Sequence, residues 1–374
     1  MRKKKILATA WHPGGANAIV PVIKRLIAEN KTDIVIIGHE YSEPIFEKAG
    51  IAFKKPPNGD ISVKAMKKVL LEESPNLVLL GTGSQEGKQI DIIEQTTTAA
   101  ANELGIKSLA VLDYWANYLQ RFSDERTGVS LDRLTSKIAV MDEFAKIDMS
   151  ILGFPKERLV ITGNPHFDDL VKKAKNFSEE QRQEVKKKIG FSDNVLFYLA
   201  CNVFSCWKET NGYWDMDVVQ LVNKTVLSLP NTALAIRFHP RMPEADRVQV
   251  ENTVLQSQSD RIRIVKDVDS QILMMTADLT VVEDSTVGIE AVLMNRPCIS
   301  LQPGLKIKDS LIVSKWGIVP AAYEAERCEN LLIEAADSLY RKEIIANYKN
   351  FVADGKATEC VVRLVYLMLT IEGD

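Results

Sequence analysis

Short apolar runs rich in Ile, Val and Leu alternate with amphipathic stretches from one end of the chain to the other. Such runs, bounded by turn residues, read as strands buried on both faces, and the helical period between them supplies the layers that cover a parallel sheet. In the first half this pattern predicts strands at Lys5–Ala10, Asp33–Gly38, Leu77–Gly81, Ser108–Leu112 and Lys137–Met141, with helices at Ala16–Glu29, Val63–Glu73 and Ile90–Leu104. The stretch Phe144–Leu152 leads into an apolar run at Glu157–Ile161 and then into Thr162-Gly163-Asn164-Pro165, a turn signal. A charged helix follows from Ser178 to Lys188, with Ser178 and Gln181 spaced as a capping box. The alternation then resumes with strands at Asn194–Ala200, Ala233–Phe238, Ile262–Val265, Leu279–Val282 and Pro297–Leu301. Helices at Asp217–Leu227, Glu244–Leu255, Ser270–Thr276 and Val287–Met294 separate these strands, and Glu359–Leu369 closes the chain.

The fold class expected is α/β, with two Rossmann-like parallel-sheet domains facing across a cleft. A length of 374 residues suits two domains. Their expected bounds are 1–165 and 190–374, joined by a linker at about 166–189, with the closing helix 359–369 either in the second core or packed across both. Ligands of open α/β sheets bind outside the carboxyl ends of the strands, so chemistry is sought there.

Composition narrows the partners. A hydrophobic fraction of 46% excludes disorder as the main state, and a net charge of −3 leaves no field to hold a nucleic acid backbone. The cysteines, Cys201, Cys206, Cys298, Cys328 and Cys360, are odd in number and form no C-x-x-C pair. They read as reduced thiols of a cytoplasmic protein, and no metal site or cofactor is expected. The basic start Met1 to Lys5 resembles a signal peptide, but the apolar run Ile6 to Trp11 is too short and reads as a first strand. No window is long and apolar enough to span a membrane; peripheral membrane contact and a homodimer are left open.

Four clusters carry candidate chemistry. His12-Pro13-Gly14-Gly15-Ala16-Asn17 joins the first strand to a helix, where Gly14 and Gly15 allow close backbone approach to a ligand and the helix end offers free amides. Neither G-x-G-x-x-G nor G-x-x-x-x-G-K-[ST] is present, which counts against a dehydrogenase or a P-loop NTPase. Ile236-Arg237-Phe238-His239-Pro240-Arg241 ends a strand with Arg237, His239 and Arg241 together, a set suited to a diphosphate. Val282-Glu283-Asp284-Ser285-Thr286 opens a helix, placing Ser285 and Thr286 where hydroxyls and amides hold phosphate oxygens and Glu290 where a carboxylate accepts from a ribose diol. Asp113, at a strand end, is followed by Tyr114, Trp115, Asn117, Tyr118 and Arg121; Trp115 is a candidate to stack on a sugar, and Asn117 and Arg121 to hydrogen-bond it. The long loop Cys201–Gly212 is a fifth place of interest, with Lys208 as a phosphate contact and Trp207, or Trp214 just beyond the loop, as a base or sugar contact. Asp215-Met216-Asp217 has the letters of a D-x-D metal motif, but the start of a helix explains it as well.

Thr-Gly-Asn-Pro at 162–165, His-Pro at 239–240 and Ser-Thr-x-Gly-x-Glu-Ala from Ser285 with Asn295-Arg296-Pro297 after it resemble the GT-B superfamily. That superfamily contains UDP-N-acetylglucosamine 2-epimerases, nucleotide-sugar glycosyltransferases, and CDP-glycerol and sialic acid polymer transferases. The resemblance implies an N-terminal acceptor domain and a C-terminal nucleotide-sugar domain, with His239 on the diphosphate, Ser285 and Thr286 on the phosphates and Glu290 on the ribose. The first domain departs from the epimerase pattern, carrying Leu112-Asp113-Tyr114-Trp115-Ala116-Asn117 where epimerases carry a His-Val-Glu-Ala-Gly-like motif. The expected activity is therefore glycosyl transfer from a UDP-, CDP- or CMP-linked donor to a sugar or polyol hydroxyl in surface polysaccharide or glycan synthesis. Asp113 is the first candidate for the general base and His12 the second. An NDP-sugar epimerase or hydrolase and a non-catalytic sugar-nucleotide-binding protein are the alternatives.

Overall fold

The structure, a computed structural model, describes residues 3–84, 91–124, 126, 129–351 and 353–370. Met1, Arg2 and Ile90, the expected start of one helix, lie outside them. The chain forms two compact units, residues 1–169 with 353–374, and residues 170–352.

The first unit is built on six strands: β1 (Lys4–Ala10), β2 (Thr32–Gly38), β3 (Leu77–Leu80), β4 (Lys107–Val111), β5 (Lys137–Val140) and β6 (Leu159–Ile161). Their order is β2-β1-β3-β4-β5-β6, and every pairing is parallel. Ala8 at the centre of β1 lies opposite Ile36 in β2 and Leu79 in β3. The first helix begins at Pro13, three residues before the apolar pattern predicts, because a proline in the first turn lacks only an N–H that has no helical partner. Its buried stripe of Ala16, Ile19, Ile23 and Leu26 shares one core with β1, β3 and β4.

The closing helix, Ala357–Thr370, belongs to this first unit, where the sequence pattern leaves it in the 190–374 domain or packed across both. Val361, Val365 and Met368 enter the same core as Ile19 and Leu26. Its free N-terminal amides at Ala357 and Thr358 donate to the buried Asp168 carboxylate at 3.0 and 2.7 Å, an anchor that no hydrophobic periodicity reveals. Tyr366 donates its hydroxyl to Glu29 at 2.7 Å at the other end.

The second unit repeats the architecture with β7 (Val195–Ala200), β8 (Thr232–Arg237), β9 (Ile262–Ile264), β10 (Leu279–Val282), β11 (Cys298–Leu301) and β12 (Ala321–Ala322). The order is β12-β11-β10-β7-β8-β9, again parallel throughout. β12 has only two residues and so leaves no run to read in the sequence. The capping box at Ser178 is present: its Oγ accepts from Gln181 N at 3.2 Å and its N donates to Gln181 Oε1 at 2.9 Å. No described helix is long and apolar enough to cross a membrane.

Each sheet has a switch point, where a strand's two neighbours are reached by connections leading to opposite sides. In the first unit it lies between β1 and β3, in the second between β7 and β10. At the first, two backbones meet without side chains between them. A Cβ on Gly15 would stand 2.7 Å from Thr82 N, and one on Gly81 would stand 2.7 Å from the Gly15 carbonyl carbon. Neither neighbour is a flexible side chain, so Gly15→Ala and Gly81→Ala are each expected to lower the stability of the first unit by about 1–3 kcal/mol. Thermal unfolding of the two variants beside wild type checks this.

Candidate functional site

At the carboxyl ends of β1, β3 and β4 the first unit gathers His12, Gly14, Thr82, Glu94, Asp113 and Arg121. Gly14 is required here because Asp113 Oδ2 occupies the space that a Cβ would take, which sets that carboxylate against the N-terminus of the helix Pro13–Glu29. Asp113 Oδ1 accepts from Thr82 Oγ1 at 2.6 Å and from the Arg121 guanidinium at 2.5 Å, and Arg121 also donates to Thr82 Oγ1 at 3.0 Å. Asn164, from the Thr-Gly-Asn-Pro turn, donates to the Asp113 carbonyl at 3.1 Å and so ties that turn to the same place. Asp113 is thus an oriented, cation-paired carboxylate.

Glu94 is the member that sequence reasoning missed. It sits in the first turn of the helix Ile93–Leu104 and is 4% exposed. Its Oε1 accepts the Trp11 amide at 2.8 Å, while its Oε2 is buried without a hydrogen-bond partner. Burial, reinforced by the nearby Asp113 charge, pushes its carboxyl up to about 7. His12, whose Nε2 is also buried and unpartnered, is held below the usual imidazole range by burial, with Asp113 acting the other way. A Cβ on Gly83 would meet His12 Cδ2 at 3.2 Å and Glu94 Oε1 at 3.3 Å, so ring and carboxyl flank one glycine. The cluster holds a carboxyl that titrates near neutrality and an imidazole whose proton affinity burial lowers, beside a carboxylate paired with Arg121. The signal available in the sequence was slight, an acid after Ile92-Ile93 in a helix whose other early positions are apolar or uncharged.

The aromatic residues after Asp113 are arranged differently from the expected sugar platform. Trp115 is 4% exposed, donates Nε1–H to Asp142 at 2.8 Å and stacks on Phe167, so its ring is enclosed by protein. Arg121 spends its guanidinium on Thr82, Asp113 and, at 2.9 Å, the Ala116 carbonyl. Asn117 is exposed, in a left-handed conformation at φ 56°.

In the second unit the corresponding strand ends carry the remaining candidates. His239 follows β8, and its Nδ1 accepts the Arg241 amide at 3.0 Å. The neutral ring therefore carries its proton on Nε2, a donor for a ligand. Burial and the Arg241 charge both hold its proton affinity down. Arg237 donates to the carbonyl oxygens of Lys266 at 3.2 Å and Val268 at 2.6 Å, clamping the loop after β9. Ser285 caps the helix Thr286–Leu293, its Oγ accepting from Val287 N at 3.3 Å, and Thr286 at the first turn is exposed. Glu290, half-buried one turn further, accepts from Gln271 at 3.3 Å, and burial raises its carboxyl above the ordinary range. In Asp215-Met216-Asp217 the helix starts at Asp215; Asp217 accepts the Trp214 amide at 3.1 Å while Asp215 is fully buried. The two carboxyls thus serve separate local bonds.

Solved structures share this fold along nearly the whole chain. A putative UDP-N-acetylglucosamine 2-epimerase from Listeria monocytogenes matches with a TM-score of 0.71 at 17% identity, covering 100% of this chain and 98% of that one. The fold is GT-B. A UDP-GlcNAc 2-epimerase from Neisseria meningitidis bound to UDP-GlcNAc matches with a TM-score of 0.70 at 14% identity over 97% of this chain and 100% of that one. A glycosyltransferase from Rickettsia africae gives a TM-score of 0.64 at 14% identity, with both chains covered in full. No protein-family model matches the sequence, and no curated protein does. GT-B structures at such identities share the strand order and not necessarily the reaction.

The Glu94 environment makes a testable statement. Its folded-state carboxyl titrates near 7 against about 4.5 unfolded, so its contribution is fully present below 4.5 and is lost as pH rises through 7. Between pH 5 and 8 wild type should lose on the order of 2 kcal/mol relative to Glu94→Gln, which cannot ionise. Denaturant unfolding of both proteins across that range measures the difference.

Proposed function

We propose that this protein acts on a nucleoside-diphosphate sugar and breaks the bond between the sugar and the diphosphate. The observation that carries the reading is the set of groups at the β7, β8 and β10 ends: the His239 Nε2 donor, the helix N-terminus at Ser285 and Thr286, and the Glu290 carboxyl. In this reading His239, Arg241 and the amides at Thr286 neutralise the leaving diphosphate, and Glu290 accepts from the ribose diol. Neighbours of the same fold solved with UDP-GlcNAc or UDP bound support a uridine nucleotide.

Proton transfer then falls to the first unit. Glu94, near 7, suits the task, with His12 as its companion and Asp113 as the anion that orients Arg121 and Thr82. Transfer of the sugar to an acceptor hydroxyl in surface polysaccharide or glycan synthesis is the first form of the reaction. Epimerisation or hydrolysis without a separate acceptor is the second, and it is favoured by one observation: a carboxyl that titrates near 7 and an imidazole whose proton affinity burial lowers share one cluster. We place the protein in a reducing, cytoplasmic setting, consistent with its five free thiols.

Thermal unfolding in the presence of UDP, CDP, CMP, GDP and ADP tests the nucleotide. A ligand at 100 times its dissociation constant adds about 2.7 kcal/mol, and the shift should vanish in Glu290→Ala and His239→Ala. No shift with any nucleotide sinks the proposal. Incubation with the matching NDP-sugar alone then separates the reactions. Epimer or free nucleotide formed without acceptor supports the second form, turnover only with an added acceptor supports the first, and binding without turnover under either condition marks a silent binding protein.

A further inference from the structure

The loop that follows β7 is held from below by carboxyl groups. The Asn202 and Val203 amides donate to Asp215 Oδ1 at 2.9 and 2.8 Å, and the Asn202 amide also lies 3.4 Å from Glu283 Oε2. Ser205 gives its amide and hydroxyl to Asp246 at 2.8 and 2.6 Å. Asn202 Nδ2 donates to the Asp284 carbonyl at 2.9 Å, which sews the loop across the switch point to the end of β10. So fixed, the loop presents Phe204 and Trp207 as a stacked pair with ring centroids 5.0 Å apart, and Phe204 lies 5.7 Å from the His239 ring.

Asp215 and Glu283 converge on one amide nitrogen, and both are 0% exposed. Their other oxygens, Asp215 Oδ2 and Glu283 Oε1, are buried with no donor to satisfy them. Two anions so placed repel without water to screen them; the two side chains lie within hydrogen-bonding reach of each other, and one shared hydrogen removes the repulsion. The titratable groups that face the pair are Cys201 on the loop, Tyr213 ahead of the helix Asp215–Ser228 and Asp246 on the helix Glu244–Gln256. Each is an acid, and none supplies a positive charge.

We infer that Asp215 and Glu283 share a single proton and act as a positioning pair that sets the Cys201–Trp207 loop beside His239 for nucleotide binding. The second half of that statement rests on the nucleotide-sugar reading above; the first half does not. The direction follows from the burial that favours the protonated pair. The pair holds the loop at neutral pH, and on alkaline deprotonation the two like charges push Asn202 and Val203 out of register.

Two measurements on the full chain test the inference. Infrared difference spectra of the free protein at pH 7.5, wild type minus Glu283→Gln and wild type minus Asp215→Asn, should each show the band of a protonated carboxyl. Its absence from both overturns the shared proton, whether or not any nucleotide binds. The affinity for UDP, or for whichever nucleotide the thermal screen selects, is then followed from pH 6.5 to 9.5. Wild type should weaken at least about tenfold at the alkaline end. Glu283→Gln, whose amide donates a hydrogen to the Asp215 carboxylate without ionising, should stay flat, and Asp215→Asn does the same from the other side should the first variant fail to fold. An equal alkaline loss in these variants overturns the positioning role. If no nucleotide binds, hydrogen exchange of residues 196–214 in the free protein, corrected for intrinsic rates, replaces affinity as the readout. Alkaline opening in wild type alone supports the role, and equal opening in all three proteins overturns it.

Discussion

At the carboxyl ends of both sheets the backbone turns away from its strand partners, and amides that no ladder can satisfy are accepted by buried carboxyl groups. Glu94 takes Trp11, Asp215 takes Asn202 and Val203, Asp246 takes Ser205, and Asp168 takes Ala357 and Thr358. The same device operates at the opposite end of the second sheet, where Asp278 accepts the Leu196 amide at 2.8 Å. Each of these bonds joins segments distant in sequence, so the loops that surround the candidate site are placed by side chains of other elements. The tight approach of Gly15 to Gly81 and Thr82 belongs to the same economy of space, since it lets Asp113 come down on Gly14.

The two units neutralise these acids by different means, and that difference divides their chemistry. In the first, Asp113 has Arg121 against it and is fixed in place, while burial, with the Asp113 charge adding to it, raises the proton affinity of the neighbouring Glu94. At the base of the second sheet Asp278 bridges Arg182 at 2.6 Å and Lys186 at 2.9 Å, which makes a stable structural anion. At the switch point of that sheet the facing groups that titrate are acids, and a proton takes the place of a cation. A fixed charge suits orientation and electrostatic work, whereas a group poised between two protonation states suits transfer of a proton.

Much of the architecture was legible because parallel strands covered on both faces are nearly continuous apolar runs. Leu279–Val282, Val63–Glu73 and Ser270–Thr276 have the bounds that periodicity gives them. What escaped lacks that periodicity: β12 is two residues long, and Asp168–Asn176 is a polar helix with a single apolar pair, Leu170-Val171. Of the site, Asp113, His12, His239, Ser285 and Glu290 could be marked because they follow strands or open helices at turn signals. Their partners could not. Glu94 is an acid inside a helix, Thr82 one hydroxyl among many, and Asp215 looked like half of a metal motif. Which of them is buried, and against what, depends on contacts between segments far apart in the chain. Trp115 shows the converse, an aromatic at a promising address whose ring the fold needs for itself.

The return of Ala357–Thr370 to the first unit makes that unit discontinuous, with residues 170–352 threaded into it as an insertion. During synthesis the first six strands are complete long before the segment that finishes their core. Until Val361, Val365 and Met368 emerge, the core that Ile19, Ile23 and Leu26 share with β1, β3 and β4 lacks its last contributor. The inserted unit carries all six of its strands within one continuous stretch and is under no such delay. The closing helix thus completes a core whose sheet ends at Ile161, with the whole inserted unit lying between the two in the chain.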